Sequence, residues 1–339
     1  MRTLVTGASG FLGSCLCRAL VAQGHEVIAF HRPTSILSGL EGLPVRRAVG
    51  DMLDPASLTR AFDGVEVVFH TAAPMRPEAD GRTAIEAHAL GTRNVLQAAQ
   101  RARVRRLVHT SSVAALGVPD VPPSTPPENS PLLDETHSWN YVPDRWPYAY
   151  AKHTSEQEVL RAVEAGLDAV IVNPSVVLGA GDWYRTRHSL VAYLARGSFI
   201  PTVPGGLNAV YIDDVVAGHL AALDRGRAGE RYILGGENLT LAELLRITAE
   251  VVGRRPPRLS LPLWAVPAIR RVLEPARQSL HLPIEPSMLW LAGYHFYYDM
   301  HKSHIELGLP PAVPYRQAAA ETYDWLLRLG AVPARSRRP

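Results

Sequence analysis

The chain has 339 residues, enough for about two domains or one large α/β unit that buries roughly 75% of its unfolded surface. A hydrophobic fraction of 47% with 20% charged residues excludes an intrinsically disordered chain. Thirty-five basic against 32 acidic residues leave a net charge of +3, too little to make nucleic acid an expected partner. No run of about 18 uncharged apolar residues occurs, and no basic segment leads into a cleavable apolar stretch. A soluble cytoplasmic protein with no membrane partner is therefore expected.

The first half alternates short apolar runs with amphipathic stretches, the pattern of βαβ units on a parallel sheet. Strands are predicted at residues 3–6, 26–30, 45–49, 67–70, 106–110 and 169–173, with helices near 10–23, 54–62, 82–101 and 147–165. The fold class is α/β with a doubly wound parallel sheet. In such sheets ligands sit beyond the carboxyl ends of the strands, so residues just after Thr6, Phe30, Val49, His70 and Thr110 should line one crevice.

The first strand runs into Thr6-Gly7-Ala8-Ser9-Gly10-Phe11-Leu12-Gly13, a GxxGxxG turn that opens a helix. Gly7 permits the tight turn, Gly10 lets the backbone approach a pyrophosphate, and Gly13 allows close helix–strand packing. The helix N-terminus, with Phe11 and Leu12 in its first turn, attracts the anion. Cys15 and Cys17 follow two apart, which is not a CxxC, and they read as small packing residues in a reducing compartment.

The second strand ends Phe30-His31-Arg32 and lacks the acidic residue that would bind a ribose 2′-hydroxyl. Arg32 can instead pair with a 2′-phosphate through a charge-assisted bond of about 1.5–3 kcal/mol, favouring NADP(H) over NAD(H) by about 10- to 100-fold. A solvated arginine at a strand end is the alternative. After the third strand, Asp51 is placed to accept from an adenine amino group with Met52 against the ring, or else to cap the helix that follows. The run Arg101, Arg103, Arg105, Arg106 reads as a helix C-terminus favoured by the macrodipole rather than a nucleic-acid patch.

The fifth strand leads into His109-Thr110-Ser111-Ser112, and residues 118–147 then form a proline-rich loop of the length usual for lids and binding loops. Pro147 suits the first turn of a helix, so Tyr148 and Lys152 stand one turn apart on one face. A second Tyr-x-x-x-Lys pair, Tyr298 and Lys302, lies far from any strand end of the sheet and is set aside. Hydride transfer to a carbonyl makes an alkoxide that needs a proton, and tyrosine with a pKa near 10 is a poor donor–acceptor at neutral pH. Lys152 should lower the Tyr148 pKa and hydrogen-bond the nicotinamide ribose, a task for a flexible point charge. Of the 35 basic residues only Lys152 and Lys302 are lysines, so a lysine here is a selective choice. A serine then holds the carbonyl oxygen beside the tyrosine, Ser112 first and Ser111 second.

Beyond residue 178 the pattern turns irregular and helical. The expected division is a dinucleotide-binding domain at 1–178, joined by a strand near 231–234, then a smaller, mainly helical substrate-binding domain at 179–334 and a tail at 335–339.

The glycine turn, Asp51-Met52, Phe69-His70-Thr71-Ala72-Ala73-Pro74, residues 109–112 and Tyr148/Lys152 together resemble an extended short-chain dehydrogenase/reductase, a Rossmann-fold family, over nearly the whole chain. Residues 70–75, Arg32, the Asp134-Glu135 and Trp139 cluster and the 36-residue interval from Ser112 to Tyr148 resemble its dihydroflavonol 4-reductase-like branch. Segments at 172–181, 211–219 and 229–243 also resemble bacterial hopanoid-associated sugar epimerases. The resemblance implies NADPH-dependent reduction of ketones or aldehydes, catalysis by Ser112, Tyr148 and Lys152, and Thr71, Ala72, Ala73, Pro174 and Val177 flanking adenosine and nicotinamide. It also implies a homodimer formed through the helices at 82–101 and 147–165.

Dehydratases of this superfamily carry an acid directly after the active-site hydroxyl, whereas Ser112 is followed by Val113-Ala114. Trp264, Trp290, Tyr294, Phe296, Tyr297 and Tyr298 suggest an apolar or aromatic carbonyl substrate, or simply the core of the smaller domain. The leading expectation is an NADPH-dependent carbonyl reductase with Tyr148 as proton donor. The alternatives are an NAD-dependent sugar epimerase and a non-catalytic dinucleotide sensor. No paired-ligand spacing suggests a metal.

Overall fold

The computed structural model describes residues 1–73, 81–198, 200–273 and 286–333. Pro74, Met75 and the tail at 335–339, which figured in the expectations above, lie outside the described residues.

The chain opens with β1 (Arg2–Thr6), α1 (Phe11–Ala22), β2 (Glu26–His31), β3 (Arg46–Val49), α2 (Pro55–Ala61), β4 (Val67–His70), α3 (Gly81–Arg101), β5 (Arg106–Thr110), α4 (Pro147–Glu164) and β6 (Ala169–Pro174). It continues through β7 (Val176–Leu178), α5 (Leu190–Ala195), β8 (Gly206–Tyr211), α6 (Ile212–Arg225), β9 (Arg231–Leu234), β10 (Glu237–Thr240) and α7 (Leu241–Val251). Last come α8 (Val266–Leu273), β11 (His295–Phe296), α9 (His301–Leu307) and α10 (Tyr315–Arg328).

Seven strands form a parallel sheet in the order β3-β2-β1-β4-β5-β6-β9. The order reverses at β1: β2 and β3 are added on one side of it, and the crossover from β3 passes back to β4 on the other. That reversal opens a crevice at the carboxyl ends of β1 and β4.

Both faces of the inner strands are covered, which is why they read as apolar runs, whereas the edge strand β3 is largely exposed. Val5, Val27, Ala29, Phe69, Val108 and Val172 pack with Leu16 and Leu20 of α1 and Val215 and Leu223 of α6. Leu4, Ile28, Val68, Leu107 and Ile171 point the other way, onto Leu58 of α2, Val95 and Leu96 of α3 and Val159 of α4. Cys15 and Cys17 are buried thiols of the first cluster, raised by burial to about 11 and about 12.

A second, four-stranded sheet is built on β8, which pairs antiparallel with β10 and parallel with β7 and β11. Helices α5, α7 and α10 pack against it around Leu194, Leu245, Tyr323 and Leu326. Among the described residues no helix is long and apolar enough to cross a membrane.

Candidate active site

The turn between β1 and α1 brings three backbones close together. Gly7 sits at φ +69°, where a side chain is strained, and a Cβ on it would stand 2.8 Å from the backbone of Ala72. A methyl on Gly13 would collide with the carbonyl oxygen of Gly7. Helix α1 starts at Gly10 with no side-chain cap and no acidic residue in its first turn, so its free amides and positive dipole end face the crevice. Across from it, the Thr71 hydroxyl donates to the Thr6 carbonyl at 2.7 Å, and Ala72 N donates to the Thr6 hydroxyl at 3.3 Å. These contacts bring Thr71, Ala72 and Ala73 beside Gly7, with Phe11 and Leu12 half-buried at the start of α1. Such a bare glycine cradle under an uncapped helix end fits a dinucleotide pyrophosphate.

Further along the strand ends, Arg32 is exposed, and its guanidinium has no hydrogen bond or ion pair among the described residues. Capping of α2 falls to Asp54, whose carboxylate accepts from Ala56 N at 3.0 Å. Asp51 instead accepts from Leu53 N at 2.9 Å, which removes the helix-cap explanation of its presence. Met52 is buried, with its side chain packed over Gly91 of α3. Pro174 ends β6, buried, and Val177 lies half-buried in β7.

At the end of β5 the structure separates the two serines. Ser112 stands near enough to the Tyr148 hydroxyl to lower its pKa, and its own oxygen accepts from Ala114 N at 3.2 Å, capping a short 3-10 turn. Ser111 is buried beside Glu156 instead. Tyr148 and Lys152 follow Pro147 in the first turns of α4, and the Lys152 ammonium donates to the Thr110 carbonyl at 3.0 Å. The Thr110 hydroxyl is fixed in turn by His219 Nε2 at 2.8 Å, a nitrogen left as acceptor because Nδ1 donates to the Val215 carbonyl.

Electrostatics here depart from expectation in one respect. Dense packing around its hydroxyl raises the Tyr148 pKa, although half of the side chain's surface is open, and the influences that lower it are Ser112 and then Arg185. Lys152 is not among those influences, because its ammonium, brought down to about 8, loses its charge before a tyrosine held above its usual value ionises. Burial lowers Lys152 to about 8, against an opposing pull from Glu156. Glu156 is itself buried and accepts from Asn173 Nδ2 at 2.6 Å.

Arg185 and Glu156 are absent from the sequence expectations. Arg185 lies on an irregular segment with no periodic signal, whereas Glu156 is four residues after Lys152 on one helix and could have been found by that spacing. The pair set aside is structural: Tyr298 is buried with Val113, Leu116 and Ile233, and Lys302 bonds Glu230 at 2.6 Å.

Trp146, two residues before Tyr148 in the chain, meets Phe296 edge-on at 5.4 Å, and Phe296 meets Tyr294 at 6.0 Å, in a cluster that includes Ala114 and Ala149. Tyr297 and Tyr298 belong to the core, while Trp264 is on the surface.

Residues 3–235 match the NAD dependent epimerase/dehydratase family. The chain belongs to that family. Its likeness to sterol demethylase protein B of Methylococcus capsulatus is 35% identity over 98% of this chain and 100% of that one. A putative dihydroflavonol 4-reductase of Synechocystis sp. is 35% identical over 97% of this chain and 95% of its own. Among solved structures, a nucleoside-diphosphate-sugar epimerase from Pseudomonas aeruginosa superposes with a TM-score of 0.79 at 27% identity, covering 98% of this chain and 99% of that one. With its extended short-chain dehydrogenase/reductase architecture and its reductase-named relatives, this family member is an NAD(P)-dependent oxidoreductase.

Proposed function

We propose that this oxidoreductase reduces a ketone or aldehyde of an apolar or aromatic substrate and prefers NADP(H) to NAD(H). The observation that carries the reading is the closeness of Ser112 to Tyr148, at the carboxyl end of β5 and one turn from a buried Lys152 that donates to the Thr110 carbonyl at 3.0 Å. A bound nicotinamide would supply hydride. Tyr148, protonated because burial raises its pKa, would give its proton to the nascent alkoxide, and Ser112 would hold the carbonyl oxygen beside it. Lys152 would reach the nicotinamide ribose, with its charge sustained by Glu156. Gly7, Gly10, Gly13 and the α1 amides would hold the pyrophosphate, Asp51 the adenine amino group and Arg32 a 2′-phosphate.

Support for the cofactor preference comes from Arg32, an exposed and unpaired guanidinium in the place of an acid. The aromatic cluster of Trp146, Tyr294 and Phe296, packed on Ala149 next to Tyr148 in the helix sequence, supports the apolar substrate. The reading includes a cytoplasmic location and a homodimer through α3 and α4. A second reading, a sugar epimerase that retains NAD, draws on Arg185, whose charge reaches Tyr148 and could hold a diphosphate.

The test starts with any nucleotide that survives gel filtration, followed by titration of stripped protein with NADPH and NADH by tryptophan fluorescence. Exchangeable, preferred NADPH with turnover of carbonyl compounds is the expected result. Tightly retained NAD and no net redox turnover would replace the reductase by the epimerase.

A further inference from the structure

The surface between Arg254 and Val272 differs from the rest of the chain in both charge and apolarity. Residues 252–273, VGRRPPRLSLPLWAVPAIRRVL, hold Arg254, Arg255, Arg258, Arg270 and Arg271 and no aspartate or glutamate before Glu274, in a protein of net charge +3; Arg254 bonds the Ala195 carbonyl at 2.9 Å, which leaves the other four as the cations of this stretch. The same stretch exposes large apolar groups: Trp264 is 82% exposed, Val272 72% and Leu259 49%. Among the described residues Trp264 is the most exposed large hydrophobic side chain. Helix α8 begins two residues after it, turns Val266 inward and presents Pro267, Ala268, Arg271 and Val272 to the outside.

We propose that this face docks on an anionic lipid bilayer. A tryptophan with a polar edge and an apolar body settles at headgroup depth, and arginines beside it pair with lipid phosphates. A short amphipathic helix with arginines and exposed aliphatic groups lies in the plane of such an interface without spanning it. The sequence expectation of no membrane partner rested on the lack of a spanning run, a criterion that does not detect surface docking. A purely acidic partner would satisfy the arginines and leave Trp264, Leu259 and Val272 in water, whereas a bilayer interface takes both.

The position of the face gives the docking a use. The Arg270 guanidinium lies 3.7 Å from the centre of the Trp290 ring, and Arg145 lies over the same ring at 4.3 Å. Arg145 ends the turn that leads into Trp146, Pro147 and Tyr148. The docking face is thus joined to the mouth of the crevice, so a lipophilic substrate could enter from the bilayer. That use rests on the proposed reductase, but the docking does not.

The experiment is co-sedimentation of the full chain with vesicles of phosphatidylcholine alone or containing about one-third phosphatidylglycerol. At least tenfold enrichment on the anionic vesicles is expected, with most of it lost between about 0.1 M and about 0.5 M salt. Trp264→Ser and the double variant Arg255→Gln/Arg271→Gln should each reduce binding several-fold while the melting temperature and nucleotide affinity stay unchanged. No enrichment over neutral vesicles, or variants that bind as the parent does, overturns the proposal. Self-association that Trp264→Ser abolishes, with no vesicle binding, also overturns it and gives the face to a second copy.

Discussion

Lys152 and Glu156 stand one turn apart on the buried side of α4, and the carboxylate works against the desolvation that brings the ammonium down to about 8. Asn173 holds Glu156 at 2.6 Å and also donates to the Ser112 carbonyl at 3.0 Å, so the positioning group is tied to the serine that meets Tyr148. In the proposed reductase Lys152 is needed in its charged form, so turnover should fall as pH rises through about 8. Glu156→Gln keeps the shape and removes the charge. The alkaline limb of kcat/KM should then move down by about one pH unit while the rate near pH 6 changes little. A pH profile with an unmoved limb would leave Glu156 a purely structural role.

Tyr148→Phe removes the proton donor and keeps the ring against its neighbours. Carbonyl reduction should fall by about 10²- to 10⁴-fold, with NADPH affinity within a few-fold of the parent. Ser112→Ala should fall less, because Tyr148 survives it, yet it removes the first influence that lowers the tyrosine pKa. Alcohol oxidation, which needs the tyrosinate, should therefore have its pH optimum shifted upward in Ser112→Ala. Steady-state kinetics in both directions check the pair, and retained turnover in Tyr148→Phe would end the mechanism.

The Arg32 side chain is exposed and has no hydrogen bond or ion pair among the described residues, so its replacement isolates cofactor choice from folding. Arg32→Ala should cut the ratio of NADPH to NADH affinity by about 10- to 100-fold, almost wholly through weaker NADPH binding. The melting temperature of the free protein should not move. Fluorescence titration with both nucleotides gives the ratio, and an unchanged value would return Arg32 to the role of a solvated strand-end residue.

The inner strands of the central sheet were legible because they are buried on both faces: β4 and β5 have the expected limits, and β1, β2 and β6 differ by one residue at one end; the edge strand β9 also has its expected limits, and the largely exposed edge strand β3 differs by one residue. The second sheet was not legible, because its strands are short and its register depends on polar groups. Asn208 of β8 donates to the Gly236 carbonyl at 3.1 Å and accepts from Gly236 N at 2.8 Å, bonds that leave no apolar period in the sequence. At the candidate site, Tyr148 and Lys152 are signalled by spacing after Pro147. The choice of Ser112 over Ser111 depends on where a chain leaving a strand turns, and Arg185 arrives from a segment without regular structure.

A buried histidine group predicts how the fold responds to acid. His70 bonds Thr6 at 2.7 Å, its ring lies 5.2 Å from that of His109, and neither ring nitrogen of His109 has a partner among the described residues. Burial, with Lys152 adding to it, lowers His70 and His88 to about 3; burial also lowers His219 to about 4 and His109 far below its usual value. The folded pKa lies below the unfolded value near 6.5 in each case, so the unfolded chain binds the extra protons. Stability from these neutral rings is complete above about pH 6.5 and is lost as pH falls toward the folded values, at about 1.4 kcal/mol per pH unit for each. Urea unfolding at stepped pH should therefore show the midpoint falling steeply between about pH 6.5 and pH 5, with more than one proton taken up per chain. His109→Leu, which removes the ring with no bonding partner, should flatten that slope by about one proton. A midpoint independent of pH over this window would mean that the histidines titrate as they do in the unfolded chain.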